Sequence, residues 1–429
     1  MTRGDRPVVD FDHHSQEHVE HRDEMYRDLR ERCPVAWTNA HDGYWVLSTQ
    51  EHASALLRDH EHFVSGRHQD EDGRWHGGDS IPDPQLPPYL LLENDPPIWG
   101  FYRRLLNPWL APAKVAARQA RLEELSTRLL DEVIERGSFD LILDYANPIP
   151  GVMTLDLVGQ HVEDWQRWAE PHHAAIYTEP GSEEYMEAVA GILWQREQLI
   201  EAMRERRGEP GDDLLTALAT ARTDDGEPLG LEEAVGILMT IIGGGVDTTT
   251  ATTANGLLYL QRHPEARAWL LEDLDDRLPQ ACEEILRYFP PVLGVARTVA
   301  ADVDFADQKF AAGERVLASV TSANRDRRVF EDPDAVRLDR VNNRHLSFGA
   351  GIHRCVGSHA ARAMLHTMVG DVLRRLPDYT IDEDKAVRYG PNSVVDGWIS
   401  VPVHFTPGRR LGASSWSSWR AMNLRPATF

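Results

Sequence analysis

The decapeptide Phe348-Gly349-Ala350-Gly351-Ile352-His353-Arg354-Cys355-Val356-Gly357 constrains the fold more than any other stretch, because it sets one cysteine in a glycine-rich loop that opens onto a helix. Ala360, Ala361, Met364, Leu365, Met368 and Val369 follow at helical spacing, and the run stops before Pro377. Free N–H groups and partial positive charge at a helix start favour a thiolate at Cys355 over a thiol. Gly349, Gly351 and Gly357 let the backbone approach a flat partner that a Cβ would hold off. A thiolate in such a loop suits the axial ligand of a haem iron. Two plainer readings compete: a small buried hydrophobe, or a zinc site drawing on His345, His353 or His359. Structural zinc uses paired cysteines at short spacing, whereas this chain has 3 cysteines, with Cys33 and Cys282 in unrelated contexts.

A second constraint lies upstream. Residues 231–262 carry the longest helical pattern, bounded by Gly230 and Pro264, with apolar residues at 231, 234, 235, 238, 241 and 242. Its centre reads Gly243-Gly244-Gly245-Val246-Asp247-Thr248-Thr249-Thr250. Each glycine costs a helix about 1 kcal/mol relative to alanine, so three followed by β-branched threonines make a weak point. The glycines could simply let another element pack closely. A ligand face explains more: they admit a flat group, and a local opening of the helix aims Asp247 and Thr248 inward.

The decapeptide resembles the haem-binding signature of the cytochrome P-450 superfamily, Phe-Gly-x-Gly-x-His/Arg-x-Cys-x-Gly, at all six defining positions: Phe348, Gly349, Gly351, His353, Cys355 and Gly357. The central helix is similar to the same superfamily's Ala/Gly-Gly-x-Asp/Glu-Thr-Thr at Gly244, Gly245, Asp247, Thr248 and Thr249. The resemblance implies that Thr248 hydrogen-bonds the oxygen being reduced and that Asp247 relays protons from solvent. Glu284 and Arg287, spaced i, i+3 in a helix expected from Pro279 to Tyr288, match the superfamily's Glu-x-x-Arg motif. That match implies a buried structural pair holding the segment around Asn324-Arg325-Asp326 and Phe330. Haem carries two propionates, and the resemblance points to Arg103, Arg297 and His353 for them. The segment Asp95-Pro96-Pro97 through Arg104 departs from the family in one place: Trp99 stands where a histidine is usual, offering one uncharged N–H donor.

The implied fold is mainly α (α+β), the cytochrome P-450 fold: one triangular helical domain with a small β-rich region, over residues 1–407. Residues 408–429 lose periodicity and read as an extension outside this core. A hairpin is expected over 35–48 around a His41-Asp42-Gly43 turn, with short strands at 297–299, 303–305 and 315–318 and a β-like stretch over 378–405. Residues 66–97 are rich in Gly, Pro, Asp and His and read as a long functional loop.

Composition enters through charge and hydropathy. A formal net charge of −24 argues against nucleic acid as partner. The N-terminal residues are polar, no window is expected to span a bilayer, and few cysteines fit a reducing cytoplasm, so a soluble cytoplasmic chain, monomeric, is expected. Against the acidic background Arg103, Arg104, Lys114, Arg118 and Arg121, with Arg344, Arg354 and Arg362, would form a basic docking face on the thiolate side.

The functional expectation is a haem-thiolate (heme b) monooxygenase that inserts one atom of dioxygen into a hydrophobic small molecule. At 429 residues no fused reductase fits, so a separate ferredoxin and its reductase supply electrons. A peroxide-using or rearranging enzyme, and a non-catalytic haem or ligand carrier, are the alternatives; the Asp247-Thr248 pair argues against both. The substrate pocket is expected from Leu238, Ile242, Val292, Leu293, Val295, Val394 and Val395, with loop 66–97 over it.

Overall fold

The computed structural model describes residues 6–207, 211–391 and 393–412. Among the described residues the chain forms fifteen α-helices and fourteen short strands. The helices are α1 Gln16–Arg32, α2 Gln50–Arg58, α3 Ile98–Leu106, α4 Pro112–Ala116, α5 Gln119–Val133, α6 Pro148–Val158, α7 Trp165–Tyr177 and α8 Glu183–Arg206. They continue with α9 Leu214–Ala219, α10 Leu231–Gly245, α11 Asp247–Arg262, α12 Pro264–Glu272, α13 Leu274–Tyr288, α14 Val320–Ala323 and α15 Ser358–Arg375.

The main sheet has the order β1-β2-β10-β7-β3, from β1 Val35–Thr38, β2 Tyr44–Leu47, β3 Phe63–Val64, β7 Gly294–Val299 and β10 Arg315–Ser319. The expected hairpin is present, with Val35 opposite Leu47 and Thr38 opposite Tyr44. Its turn takes left-handed backbone at His41, Asp42 and Gly43, and a Cβ at Gly43 would meet the Trp37 ring. Strand β10 lies parallel to β2 and antiparallel to β7. Smaller pairs complete the β-rich region: β4 Arg67–Gln69 with β5 Trp75–Gly77, and β8 Val303–Phe305 with β9 Gln308–Phe310. Strand β6 Ser138–Asp140 joins β14 Pro402–His404 and β11 Thr380–Ile381, and β12 Val387–Arg388 pairs with β13 Trp398–Ser400. Loop 66–97 thus contains a hairpin that its composition concealed.

One apolar core runs through the helical part, and a second fills the space between the main sheet and α2. The long central pattern is divided as its glycines suggest: α10 ends at Gly245, Val246 is distorted within the right-handed helical region (φ −100, ψ −69), and α11 restarts at Asp247. Two expectations need correction. Helix α13 begins at Leu274, a turn and a half before Pro279, which sits inside it. Leu231–Arg262 is also long and apolar enough to qualify as a membrane span by composition, but 67% of that window is buried inside the fold. Core packing covers most of it.

Of the expected extension, residues 408–412 are described. The N–H groups of Leu411 and Gly412 donate to the Asp131 carboxylate, and that of Gly408 to the Ile134 carbonyl, so this stretch is tied to the end of α5. Residues 413–429 lie outside the described residues.

Candidate functional site

The cysteine loop is closed by its own backbone. Cys355 N–H donates to Phe348 O at 2.8 Å and Gly349 N–H to Leu346 O at 2.7 Å. Gly351 is left-handed (φ +68), and a Cβ there would lie 2.2 Å from the Leu57 carbonyl oxygen, so glycine is what lets the loop seat on α2. Helix α15 starts right after Gly357. The Cys355 side chain is exposed. Burial by the surrounding protein still pushes its thiol up, against the Gly357 N–H and the charges of Arg103, Arg354 and Arg362, which pull it down. The expected thiolate therefore is not secured by the helix start alone; a bound cation is what ionises such a thiol. Among the described residues no His, Cys, Asp or Glu joins Cys355 in a metal-holding group, and His345 pairs with Glu283 at 3.2 Å, so the zinc arrangement is not assembled.

Beside this loop lie a buried guanidinium without a counter-charge in contact and two buried ring nitrogens without hydrogen-bond partners. Arg297, 3% exposed on β7, has no carboxylate in ion-pair contact among the described residues and donates only to its neighbour's carbonyl, Ala296 O. Burial lowers its pKa to about 10, against the more distant Asp79 and Asp95. His353 Nε2 and Trp99 Nε1 are both buried and unpaired, and the two rings meet edge to face at 5.8 Å. Burial, with Arg297, His60 and Arg103 nearby, pushes His353 down to about 3. Each orphaned donor costs about 1–3 kcal/mol, and an uncompensated buried cation several. An anion with two carboxylates would relieve them, which is what haem propionates offer. Arg103 sits apart from this group in one respect: its Nη1 donates to the Arg354 carbonyl at 2.9 Å, bracing the cysteine loop itself.

The opposite wall comes from α10 and α11. Gly244 is exposed on a helix that is otherwise largely buried, and a Cβ there would meet nothing within 4 Å. Thr248, one turn on, is half-buried, and its hydroxyl makes only a long bond of 3.4 Å to Gly244 O. Segment 89–103 spans the two walls. Leu90 packs against Gly236 and its carbonyl accepts from Thr240 at 2.7 Å, while the next residue, Leu91, hydrogen-bonds His353 through its backbone. Asp95 holds the loop's start by accepting from the Ser65 and Gly66 N–H groups. Glu93 holds its middle by accepting from Arg67 at 3.1 Å.

The apolar pocket residues divide. Val292 bridges to Val395, and Leu293 N–H donates to Val394 O at 3.2 Å, so 292–295 and 393–395 meet, with Val295 at the start of β7. Leu238 and Ile242 are buried in the main core at 0% and 2% exposure. Both lie about 120–160° around the helix from Gly244, so they cannot share its open face. The line on the open face is Gly236, Thr240, Gly244 and Thr248. Tyr89 adds a polar insert, its hydroxyl 3.3 Å from His172 Nδ1, and the same nitrogen would lie 2.9 Å from a Cβ at Gly243.

Glu284 and Arg287 form a bidentate pair at 2.8 Å with both side chains fully buried. Arg287 also donates to Asn324 O, Pro333 O and Ala335 O, and its guanidinium lies 5.3 Å from the Phe330 ring. Sequence reasoning missed a third member, Arg340, whose Nε reaches Glu284 at 2.9 Å. It also missed the partners of Asp247, which is 2% exposed and bonded to His173 on α7 and to Tyr389. No local pattern marks either, since they lie far away in sequence.

The basic face is thinner than expected. Arg104 pairs with Asp224, Lys114 with Asp212, Arg118 and Arg121 with Asp156, and Arg362 with Glu283. Arg344 and Arg354 stand exposed with no carboxylate in ion-pair contact among the described residues.

Comparison with known proteins bears on family and fold. The family model for Cytochrome P450 matches residues 163–385. A steroid C26-monooxygenase of Mycolicibacterium smegmatis is 33% identical over 329 residues, 76% of this chain and 81% of that protein. A nocardicin C N-oxygenase of Nocardia uniformis subsp. tsuyamanensis is 34% identical over 379 residues, 87% of this chain and 92% of that protein. Among solved structures, a Mycobacterium marinum cytochrome P450 in complex with pseudoionone superimposes with TM-score 0.83 at 28% identity, covering 93% of this chain and 99% of that one.

Proposed function

Because this chain belongs to the cytochrome P450 family, a family of haem-thiolate oxidoreductases, and its relatives named by activity are monooxygenases, we propose that it inserts one atom of dioxygen into a hydrophobic small molecule. The observation that carries the site assignment is the uncompensated cluster of Arg297, His353 and Trp99 beside the open side chain of Cys355. In this reading heme b would be held between the two walls by the Cys355 sulfur, with Phe348, Gly349 and Gly357 shaping the loop that carries that cysteine. Arg297, His353 and Trp99 hold the propionates, Arg103 braces the cysteine loop from the same edge, and Gly244 leaves room for the flat face. The bound group supplies two-electron activation of dioxygen.

The chain's own residues do the rest. The Thr248 hydroxyl, held only by a 3.4 Å bond to its own helix, is free to turn and donate to the oxygen being reduced. Asp247, the residue before it, relays protons from solvent toward that position. Glu284 and Arg287, with Arg340, fix the segment that carries the cysteine loop. Val292, Leu293, Val295, Val394 and Val395 favour an apolar substrate of terpenoid or steroid size, in keeping with the pseudoionone and steroid ligands of relatives. The Tyr89–His172 pair gives the same space one polar end. Electrons arrive from a ferredoxin-type donor, and Arg344 and Arg354 are the cations free to meet it.

Thr248→Ala tests the assignment. Reduced through a ferredoxin and its reductase, the variant should keep consuming NAD(P)H while releasing peroxide and losing product per electron. Unchanged product yield per electron would overturn the role given to Thr248.

A further inference from the structure

Asp247 is compensated in an unusual way for a buried acid. Among the described residues its only ion-pair partner is a histidine, His173 Nδ1, which meets Oδ1. Tyr389 OH donates to the same oxygen at 3.2 Å and lies 2.8 Å from His173 Nδ1. Oδ2 is buried and has no partner. Tyr389 cannot share the charge, because burial and the carboxylate push its phenol far up, so it stays a donor. Tyr177 stacks on Tyr389 at 5.1 Å and meets His173 edge-on at 5.4 Å, fixing both rings. Among the described residues Glu170, on the same helix and with a carboxyl raised by burial, also acts on His173, while His172 and Tyr89 act on Asp247. An arginine or lysine in this place would keep its charge at every working pH; a histidine does not.

Resting on the monooxygenase reading, we propose that His173 is the proton-holding partner of Asp247 and Tyr389 its positioning residue, so that the protonation of His173 governs proton supply to the site. The imidazolium passes its Nδ1 proton to the Asp247 carboxylate, becomes neutral imidazole, and regains a proton from solvent; no electron moves. Tyr389 keeps the carboxyl turned so that Oδ2 faces away from the pair. A neutral imidazole in this place leaves the carboxylate without its proton source, and reduced oxygen then leaves as peroxide.

Two measurements on the holoenzyme test this. In the first, a surrogate ferredoxin and its reductase drive NADPH oxidation from pH 6 to 9, and the peroxide released per NADPH is recorded. His173→Gln should raise that fraction several-fold at pH 6 and flatten its pH dependence. His173→Lys should restore a low fraction and hold it to higher pH than the wild type, and Tyr389→Phe should raise it with the wild-type pH midpoint kept. In the second, independent of turnover, thermal unfolding of wild type, His173→Gln, Asp247→Asn and the double variant is compared at pH 6 and pH 9. Non-additivity of the Tm shifts should be present at pH 6 and shrink at pH 9. Equal non-additivity at both pH values, or an unchanged pH profile in His173→Gln and His173→Lys, would overturn the proposal. Failure of the monooxygenase reading looks different: wild type would consume no NADPH with the ferredoxin and its reductase, while the unfolding cycle would still report the pair.

Discussion

Replacing Glu284 by glutamine should be among the most damaging conservative changes in this protein. Its carboxylate receives Arg287 Nε and Nη2 at 2.8 Å, Arg340 Nε at 2.9 Å, the Arg337 N–H at 2.7 Å and Asn343 Nδ2 at 3.0 Å. Among the described residues it is the only anion in ion-pair contact with the buried guanidiniums of Arg287 and Arg340. Glutamine keeps the shape but deletes the charge and turns an NH₂ toward donors. Breaking a buried pair costs about 3–5 kcal/mol, and the mismatched donors add about 1–3 kcal/mol. Against a total of roughly 5–15 kcal/mol, such a loss consumes most of the stability. Arg340→Met leaves Glu284 with Arg287 and should cost about 1–3 kcal/mol. Glu383→Gln, at an exposed pair with Arg262, should cost about 0–1 kcal/mol. Guanidinium unfolding followed by circular dichroism and by the haem band, on all three variants, gives the ranking. The reasoning fails if Glu284→Gln falls within about 1 kcal/mol of Glu383→Gln, or if Arg340→Met costs as much as Glu284→Gln.

Arg297→Met should remove a buried cation that only an anionic ligand compensates, weakening haem retention by about tenfold to a hundredfold; the haem-to-protein absorbance ratio after dialysis against apomyoglobin reads this, and no change refutes the propionate role. Gly351→Ala should abolish haem incorporation because its Cβ would strike the Leu57 carbonyl, whereas Gly244→Ala should fold normally, gain about 1 kcal/mol of helix stability and yet shift the haem spectrum. Glu93 is raised to about 7 by burial and by Asp79, against Arg67. Between the unfolded value near 4.5 and about 7 the folded chain holds a proton that the unfolded chain has released, so stability falls as pH rises through that window, by about 3 kcal/mol at most. Amide exchange at Tyr89 and Glu93 should quicken over that window and lose this pH dependence in Glu93→Gln.

Legibility followed sequence distance. The cysteine loop and α15 are contiguous, so glycine, proline and apolar spacing were enough to place Cys355 before a helix start. The break at Val246 was visible for the same reason, three glycines and three threonines being a local weakness. Glu284 and Arg287 share one helical turn, but Arg340 lies 56 residues from Glu284, and nothing near it signals a third partner. Leu238 and Ile242 failed for a geometric reason: hydrophobicity says that a helix face is buried, not whether core or ligand covers it.

The sequence by itself determined the chemistry-bearing loop, the split central helix, the buried i, i+3 pair and the family to which they belong, because each is written within a few residues. Only the tertiary structure decided what surrounds them. It brought His173 and Tyr389, 74 and 142 residues from Asp247, onto one carboxylate oxygen. It gathered Arg297, His353 and Trp99 without a counter-charge, and it cancelled most of the basic run with nearby carboxylates. Burial and charge compensation depend on which distant segments meet, and a contact across a hundred residues leaves no periodic trace in the chain.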